Sequence, residues 1–288
     1  MNRTALFAPI AFIAAFTMAN PVVDAAVSPV GLGTATSYAV LAGTTVTNTG
    51  ASTVDASLGV SPGSAVVGFP PGLVSGGAIH AADAPAGQAK SDLVTAYNAA
   101  AGRATTVTVS ADLGGQTLVS GVYTGGALSL TGTVVLDAQG DPNAVFVFQA
   151  ASTLITASAS RVSLINGASA CRVFWQVTSS ATLGTGSSFV GTVLALTSIT
   201  AATGASIAGR LLARNGAVTL DSNTFTSAAC ARSGTNRSGG NTGPTIPGTG
   251  SSSSPTATMA LIFLAVGLTT LVVVSRRPVR IGHTRARR

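Results

Sequence analysis

The stretch from Ala181 to Phe225 is a near-repeat with an 18-residue period. Residues 181–198 read ATLGTGSSFVGTVLALTS, residues 199–216 read ITAATGASIAGRLLARNG, and residues 217–225 read AVTLDSNTF. Such a period is too short for a helical hairpin repeat but fits one coil of a β-solenoid, in which each coil stacks on the previous one. The repeat therefore predicts a solenoid.

Stacking places equivalent residues of successive coils in columns, with a spacing of about 4.7–4.9 Å along the solenoid. The register of the repeat predicts an inward apolar column of Phe189, Ile207 and Phe225. It also predicts outward columns of hydroxyl side chains, namely Thr182 with Thr200, Thr185 with Thr203, and Ser188 with Ser206 and Thr224. A flat lattice of hydroxyls on a rigid sheet suits an ordered surface better than a small molecule.

The composition favours one large β domain of roughly 200 residues between two targeting segments. The 288 residues include 34 Gly, and only 5% are aromatic and 8% charged, with all eight acidic residues being Asp. This composition suits tight coils filled by small aliphatic side chains. It differs from that of disordered chains, which combine low hydrophobicity with high charge.

The basic character of the chain comes mainly from its C-terminus. Six of the fifteen basic residues lie in the last thirteen positions, and residues 26–249 hold eight Lys or Arg and seven Asp, a net charge of 8 − 7 = +1. Binding of nucleic acid would need basic residues clustered on the domain itself, and no such cluster is present in the sequence.

The N-terminus has the three regions of a secretory signal peptide. Arg3 is followed by an apolar run over residues 5–19 and by Val23-Asp24-Ala25, so residues 1–25 are predicted to be removed. The mature domain, residues 26–232, is then expected in an oxidising compartment. There Cys171 and Cys230, the only two cysteines, predict a disulfide, with two buried free thiols as the alternative.

The C-terminal part reads as a surface anchor. A Gly/Ser/Thr/Pro-rich linker over residues 233–255 precedes TATMALIFLAVGLTTLVVVS, residues 256–275, which is uncharged and long enough to cross a bilayer. The Arg-rich tail, residues 276–288, is expected to stay in the cytoplasm, so the domain would face outward.

Inside the linker, residues 246–250 read IPGTG and resemble the LPxTG signal that sortases cleave between Thr and Gly. Cleavage would then fall between Thr249 and Gly250 and would attach the protein to the cell wall. Ile246 stands where the signal has Leu. The alternative is a chance match in a linker of this composition, with the protein held as a single-pass membrane protein.

One helix is predicted at residues 84–102, approximately. Asp83 precedes Ala84-Pro85 as a helix start, the apolar residues Ala89, Leu93, Tyr97 and Ala100 follow at helical spacing, and Gly102 ends the helix. The apolar stripe predicts that the helix packs lengthwise on the solenoid. Lys90 is expected on its solvated face, and residues 55–77, rich in Gly and Pro, are expected to be irregular.

The domain resembles the ice-binding proteins that are built on a discontinuous β-solenoid with an accompanying helix. The resemblance runs in order from about Val30 to Cys230. The stretches that carry it include YAVLAG and VTNTG (38–50), LGVSPG (58–63), DLVTAYNAAAGR (92–103), VYTGGALSLTGTVVLDAQGDPNAVFVFQAASTL (122–154), SLINGASACRVFWQVTSSATLGTGSSFVGTVLA (163–195) and GRLLARNGAVTLDSN (209–223).

The resemblance implies a mainly β fold, a right-handed-type discontinuous β-helix with three faces, whose coil order differs from the sequence order. One long helix would lie along one face. Members bind ice through a flat face that bears Thr, Ser and Ala, and some carry a T-A/G-x-T/N pattern. The nearest matches here are residues 185–188, 203–206 and 49–52, each of which ends in Ser.

These observations predict a secreted, surface-anchored protein that adsorbs to ice through a flat Thr/Ser/Ala face and limits crystal growth or attaches the cell to ice, with no catalytic activity, cofactor or metal. The predicted ice-binding residues are Thr182, Thr185, Ser188, Thr200, Thr203, Ser206 and Thr224. The partners of the protein would be ice, and the membrane or the cell wall, and the domain would be a monomer. The alternatives are a surface adhesin or envelope domain that binds polysaccharide or another cell, and an enzyme. An enzyme is disfavoured because the Asp residues are dispersed and His80 is the only histidine of the mature domain.

Overall fold

The computed structural model describes residues 27–226, which all belong to one compact unit. Within this range no helix is both long and apolar enough to cross a membrane. Several predicted features lie outside the described residues: the signal peptide 1–25, Cys230, the linker 233–255 with Thr249 and Gly250, the apolar segment 256–275 and the basic tail 276–288.

Residues 27–226 form 22 short strands, one α-helix and two 3₁₀ helices, Gly33–Ser37 and Ala170–Arg172. The N-terminal strands and the helix are β1 (Tyr38–Ala42), β2 (Thr45–Thr49), β3 (Thr53–Val54), β4 (Ser57–Val60), β5 (Ala65–Val67), β6 (Leu73–Val74), β7 (Ile79–Ala81) and α1 (Ala84–Ala101). The remaining strands are β8 (Val107–Thr108), β9 (Thr117–Leu118), β10 (Gly121–Gly125), β11 (Leu128–Leu130), β12 (Thr133–Asp137), β13 (Phe146–Ala150), β14 (Leu154–Thr156), β15 (Arg161–Ile165), β16 (Val173–Val177), β17 (Ala181–Leu183), β18 (Ser188–Ala195), β19 (Ile199–Ala201), β20 (Ser206–Ala213), β21 (Val218–Asp221) and β22 (Thr224–Phe225).

All strand pairs are parallel, and they form a solenoid with three faces. The threonine face is the seven-stranded sheet, in the order β11-β14-β17-β19-β21-β2-β5. The fifteen-stranded sheet covers the other two faces. The open face contains β9, β12, β15, the first half of β18 and of β20, β22, β3 and β6; the helix-covered face contains β8, β10, β13, β16, the second half of β18 and of β20, β1, β4 and β7.

Two long strands join the open face to the helix-covered face. In β18, Ser188 pairs with Arg161 of β15, whereas residues 192–195 pair with residues 174–177 of β16. The strand turns between the two partners at Gly191, where φ is +110°. This conformation requires glycine because an L side chain rarely adopts it.

The spatial order of the coils differs from their order in the sequence. The resemblance implies such a difference. The N-terminal strands β1, β2 and β3 stack on β20, β21 and β22, so that Val40 pairs with Leu211. Helix α1 then returns the chain along the solenoid to β8, at the opposite end of the strand order. The hand of the solenoid stays a prediction.

The interior of the solenoid is filled by one apolar cluster. The predicted column of Phe189, Ile207 and Phe225 is confirmed, because the three residues are paired in register and at most 2% exposed. A stack of aromatic rings continues from Phe189 through neighbouring coils, with 3.9 Å between the ring centroids of Phe148 and Trp175. These stacked aromatic side chains are therefore part of the core.

The predicted helix is confirmed. The Asp83 carboxylate accepts a hydrogen bond from the Ala86 backbone N–H at 2.9 Å, and Gly102 caps the C-terminus. The predicted apolar stripe is buried against an outward apolar row of the helix-covered face that includes Val147, Phe174 and Leu212. The helix thus protects one of the three faces from solvent.

The prediction that the Lys90 side chain is solvated is wrong. It is only 9% exposed, and its ammonium group donates hydrogen bonds to the carbonyl oxygens of Ala213, at 2.6 Å, and Arg214. These carbonyls lie at the end of β20, where the chain turns and offers acceptors that the helix side chain can reach. Lys90 therefore fastens α1 to the solenoid.

Residues 55–77 also correct an expectation, since they contain β4, β5 and β6 and form part of the last coils. Apart from Gly59, which lies within β4, their Gly and Pro residues occupy the turns between very short strands. Gly63 approaches the neighbouring coil so closely that an added Cβ would lie 1.8 Å from the Thr44 carbonyl oxygen. Glycine here permits coil stacking and does not interrupt it.

Candidate functional site

A continuous column of seven side chains runs along the middle of the threonine face. Each member pairs in register with the next. The threonine column, in spatial order, is Ser129, Ile155, Thr182, Thr200, Thr219, Thr47 and Val67. At about 4.8 Å per coil, six steps give a column about 29 Å long.

The threonine column presents both hydroxyl and methyl groups to solvent. Thr182, Thr200 and Thr219 are exposed, while both sequence neighbours of each are buried. Within residues 27–226, the hydroxyls of these residues and of Thr47 have no intramolecular hydrogen-bond partner. Each of these hydroxyls is therefore free to donate to water and to accept from it, and a methyl group lies beside each hydroxyl.

Side chains at the edges of the threonine face hold neighbouring coils together. The hydroxyls of Ser180 and Thr197 lie 2.6 Å apart, and the Thr203 hydroxyl donates to the Asp221 carboxylate at 2.5 Å. These contacts link adjacent turns, so the column between them is supported on both sides by fixed backbone. A surface built in this way needs little further ordering when it binds.

The threonine column contains no charged residue. At one end of the column lies Asp112, whose backbone bridges to Ser129. Hydrogen bonds from the Thr131 hydroxyl, and then from the N–H groups of Gly114 and Thr131, lower the pKa of Asp112. The carboxylate thus remains ionised at neutral pH, at the end of the column and outside it.

The open face carries a second column of the same length and a different composition. Its members also pair in register from coil to coil. The open-face column, in spatial order, is Thr133, Arg161, Ser188, Ser206, Thr224, Thr53 and Leu73. The exposed Arg161 interrupts this column, and two of its hydroxyl residues are Ser and lack a methyl group.

The structure places the predicted site residues at three locations. Thr182 and Thr200 lie side by side on the threonine face. Thr185 and Thr203 are exposed in the turns between the threonine face and the open face. Ser188, Ser206 and Thr224 form part of the open-face column. The pair Thr182–Thr200 and the triplet are thus in register but on two different faces, and Thr185 and Thr203 lie on the ridge between these faces.

The sequence reasoning missed Thr219 and Thr47, which complete the threonine column. The interval from Thr200 to Thr219 is one position longer than the interval from Thr182 to Thr200, because the turn before β21 is longer. Thr47 and its neighbour Thr219 come from opposite ends of the described range, so no local repeat could reveal the pair. The detectable signal for Thr219 was its position between two apolar residues of a short strand, whereas Thr47 lies between Val46 and Asn48 and gives no such signal.

The three TG-containing motifs form turns between the threonine face and the open face. Gly50, Gly186 and Gly204 have φ values of +79°, +62° and +71°, which glycine adopts at no steric cost. The final Ser of two motifs points outward on the open face. Ser52, the final Ser of the third, is fully buried, and its hydroxyl accepts a hydrogen bond from the Asn223 N–H.

Other polar groups have local roles. His80 donates from Nδ1 to the Asp83 carboxylate at 2.7 Å, and this carboxylate also caps α1. The part of the chain that the structure describes contains no group of three or more side chains suited to hold a metal ion. Cys171 is not a free thiol. Its predicted partner Cys230 lies beyond the described range, so their pairing stays a prediction.

Comparison with known proteins identifies the fold and the family. The model of the ice-binding-like family matches residues 40–226. An ice-binding protein of Nostoc sp. (strain HG1) is 48% identical over 200 residues, which are 68% of this chain and 74% of the relative.

Two solved structures are also similar. The ice-binding protein from an Antarctic biological consortium has a TM-score of 0.68 and 51% identity, over 69% of this chain and 91% of that one. The ice-binding protein of the Antarctic ascomycete Antarctomyces psychrotrophicus has a TM-score of 0.67 and 45% identity, over 69% and 98% of the two chains. From its sequence match and its fold, the chain belongs to the ice-binding-like family.

Proposed function

We propose that this protein adsorbs to ice through the threonine face and thereby limits crystal growth. The observation that carries the proposal is the uninterrupted, uncharged threonine column, with four threonine hydroxyls that have no partner within residues 27–226. The proposed site therefore includes Thr219 and Thr47 in addition to Thr182 and Thr200. The open-face residues Ser188, Ser206 and Thr224 are secondary in this proposal.

The mechanism is adsorption, without a chemical step. The regular column orders water in a pattern that joins the ice lattice, and many weak contacts then act together. The solenoid has already met the cost of ordering these side chains, so little binding energy is lost on contact. Adsorbed molecules then pin the growing surface. Ice-binding proteins are not enzymes, and the comparisons indicate no catalytic family.

Ice shaping by the purified protein tests this proposal. The full chain and a fragment of residues 26–249 should both shape a growing ice crystal and inhibit recrystallisation. An inert protein of equal size serves as the control for viscosity. Normal crystal habit at high protein concentration would refute ice binding and would favour the adhesin that binds polysaccharide or another cell.

The proposal extends to the location of the protein. Secretion through residues 1–25 and anchoring through residues 256–288 would place a monomeric domain on the outer surface of the cell, where it would attach the cell to ice. The support is the order of apolar, linker and basic segments in the sequence.

Mass spectrometry of the mature C-terminus distinguishes the two modes of anchoring. A chain that ends at Thr249 and carries a cell-wall fragment would support sortase attachment. An intact tail to Arg288 in the membrane fraction would rule this out and would support a single-pass membrane protein. Recovery of all of the protein from the culture medium would refute both modes.

A further inference from the structure

A buried column of small and polar side chains lies inside the ridge between the threonine face and the open face. Each member directly precedes a residue of the open-face column, whose pairing therefore sets the register of the buried column. All members are at most 1% exposed. The corner column, in spatial order, is Ser160, Ser187, Ala205, Asn223 and Ser52.

Two neighbours in the corner column carry hydroxyls without a partner. Among residues 27–226, three buried side-chain atoms make no hydrogen bond, and two of them are the Oγ atoms of Ser160 and Ser187. A buried hydroxyl without a hydrogen bond destabilises a fold, and native proteins contain few of them. Since the two serines lie in adjacent coils, one ligand could satisfy both hydroxyls.

Asn223 fills the same corner with its own side chain. Its amide group donates to the carbonyl oxygens of Ala202, at 2.8 Å, and of Ala205, at 3.3 Å. These carbonyls belong to the first and last residues of a turn in the adjacent coil. The Asn223 backbone N–H donates to the Ser52 hydroxyl at 2.9 Å. The position of the Asn223 amide thus marks where a donor inside the ridge finds acceptors.

The same acceptors recur next to Ser187. The turns of residues 157–160 and 202–205 are each closed by a hydrogen bond from the last N–H to the first carbonyl, at 3.3 Å and 3.2 Å. Ser187 lies against the first of these turns in the register in which Asn223 lies against the second. The serine side chain is shorter, and its hydroxyl does not bond to the carbonyls of Ala157 and Ser160. Within the described residues, these carbonyls therefore lack the side-chain donor that Asn223 supplies in its own coil.

We propose that a water molecule binds inside the ridge between Ser160 and Ser187, at the position that the Asn223 amide occupies in its coil. Equivalent atoms of adjacent coils lie about 4.8 Å apart, which is too far for a direct hydrogen bond. A water that makes bonds of about 2.8 Å to both hydroxyls spans this distance. The Ala157 and Ser160 carbonyls offer further acceptors, so the water reaches the two to four partners that are typical of enclosed waters.

The bound water joins two coils beneath the ridge that carries Thr185. Each serine hydroxyl can donate one hydrogen bond and accept others, so the water exchanges bonds with both coils at once. The ridge is then held by two means, an asparagine amide in one coil and a water where the side chains are smaller. This role is structural and does not depend on whether the threonine face binds ice.

Removal of the Ser187 hydroxyl tests the water. In Ser187→Ala the water loses a partner, so the melting temperature of the full chain in detergent should fall by about 3 °C. The control Ser206→Ala removes an exposed hydroxyl of the next coil and should change the melting temperature by less than about 1 °C. If the Ser187 hydroxyl were dry, its removal would leave the melting temperature unchanged or raise it, and this result would overturn the proposal.

Asparagine at position 187 should replace the water with an amide, as Asn223 does in its coil. Ser187→Asn should keep or raise the melting temperature. It should also remove one long-lived water, as counted by magnetic relaxation dispersion of water in the full chain. An equal number of long-lived waters in the wild type and the variant would contradict the proposal. So would a fall of more than about 3 °C, because it would show that the corner is too tightly packed to hold the amide.

The double variant Ser160→Ala/Ser187→Ala tests whether the two serines share one water. Its loss in melting temperature should be smaller than the sum of the two single losses, because each single variant already weakens the same water. Losses that add would mean that the two hydroxyls act separately, and would overturn the shared site.

Discussion

The threonine face and the open face share a backbone architecture but present different chemistry. Each has a seven-residue outward column in register, supported by the same core. Where the threonine face has Ile155, the open face has Arg161 in the same coil, and where it has Thr182 and Thr200, the open face has Ser188 and Ser206. Both faces thus have regular stacking. Only the threonine face combines methyl and hydroxyl groups without a charged residue in its column.

The largest difference is expected from a bulky residue at the centre of each column. Thr200→Tyr should lower thermal hysteresis about tenfold, because a ring at the middle of the column lifts its neighbours from the ice. Ser206→Tyr on the open face is the matched control and should keep nearly full activity. Circular dichroism and melting temperature should be unchanged in both. Equal losses in the two variants would mean that the faces do not differ in function.

Exchange of the charge between the faces should have the next largest effect. Ile155→Arg brings a guanidinium group to the threonine column and should reduce activity about three- to tenfold, since ice contact would strip water from a charge. Arg161→Ile removes the interruption of the open-face column. Crystal habit and recrystallisation inhibition measure both. If Arg161→Ile gained more activity than Ile155→Arg lost, the open face would be the main site.

Single-group changes should separate the two contributions of threonine. Thr219→Ser removes one methyl group and should cost about two- to fourfold in activity, from about 0.8 kcal/mol for a buried methylene. Thr219→Val keeps the shape and removes the hydroxyl. Thr224→Ser on the open face is the control. A concentration series of thermal hysteresis would show which group matters, and no loss in either Thr219 variant would exclude this position from the site.

The smallest effect on activity is expected from pH. The threonine column has no titratable group, so thermal hysteresis should be constant between pH 7 and pH 9.5. The free energy of unfolding, in contrast, should change over this interval. Burial, and then the Arg214 charge, lower the pKa of Lys90 to about 8. Between this value and the ordinary 10.5, the unfolded chain binds a proton that the folded chain lacks, so the free energy of unfolding rises with pH.

Urea denaturation checks this rise. The urea midpoint of the wild-type protein should increase from pH 7.5 to pH 9.5. The corresponding rise in the free energy of unfolding is at most about 1.4 kcal/mol per pH unit. Lys90→Met should remove the increase that Lys90 causes. A wild-type midpoint that falls over this interval, in parallel with the variant, would show that the ammonium group is not destabilised by burial. A parallel change in ice activity would mean that the site includes a titrating group.

The sequence predicted the elements whose signals are local. The repeat within residues 181–225 predicted the inward column of Phe189, Ile207 and Phe225, and the apolar stripe with Asp83 and Gly102 predicted α1. The stretch 55–77 was misread because turn residues outnumber strand residues in short coils. Lys90 was misread because its acceptors, the carbonyls of Ala213 and Arg214, lie far away along the chain.

The candidate site could be predicted only in part for the same reason. Thr182 and Thr200 follow from the repeat, but the division of hydroxyl residues between two faces depends on where each turn falls within a coil. A single extra residue between Thr200 and Thr219 shifts the register on one face and not on the other, since Ser206 and Thr224 keep the spacing of Ser188 and Ser206. Periodicity alone does not report such local shifts.

The discontinuous stacking of the coils has a consequence for the order of events in folding. The column that we assign to ice is completed by Thr47 beside Thr219, so residues synthesised early must wait for residues synthesised late. Contacts of such high sequence separation slow folding, because the closure of a long loop precedes any gain from packing. A chain interrupted before β21 would expose the edges of β2 and β19 together. Delayed docking of these edges would favour export before folding and would make truncated chains prone to aggregate.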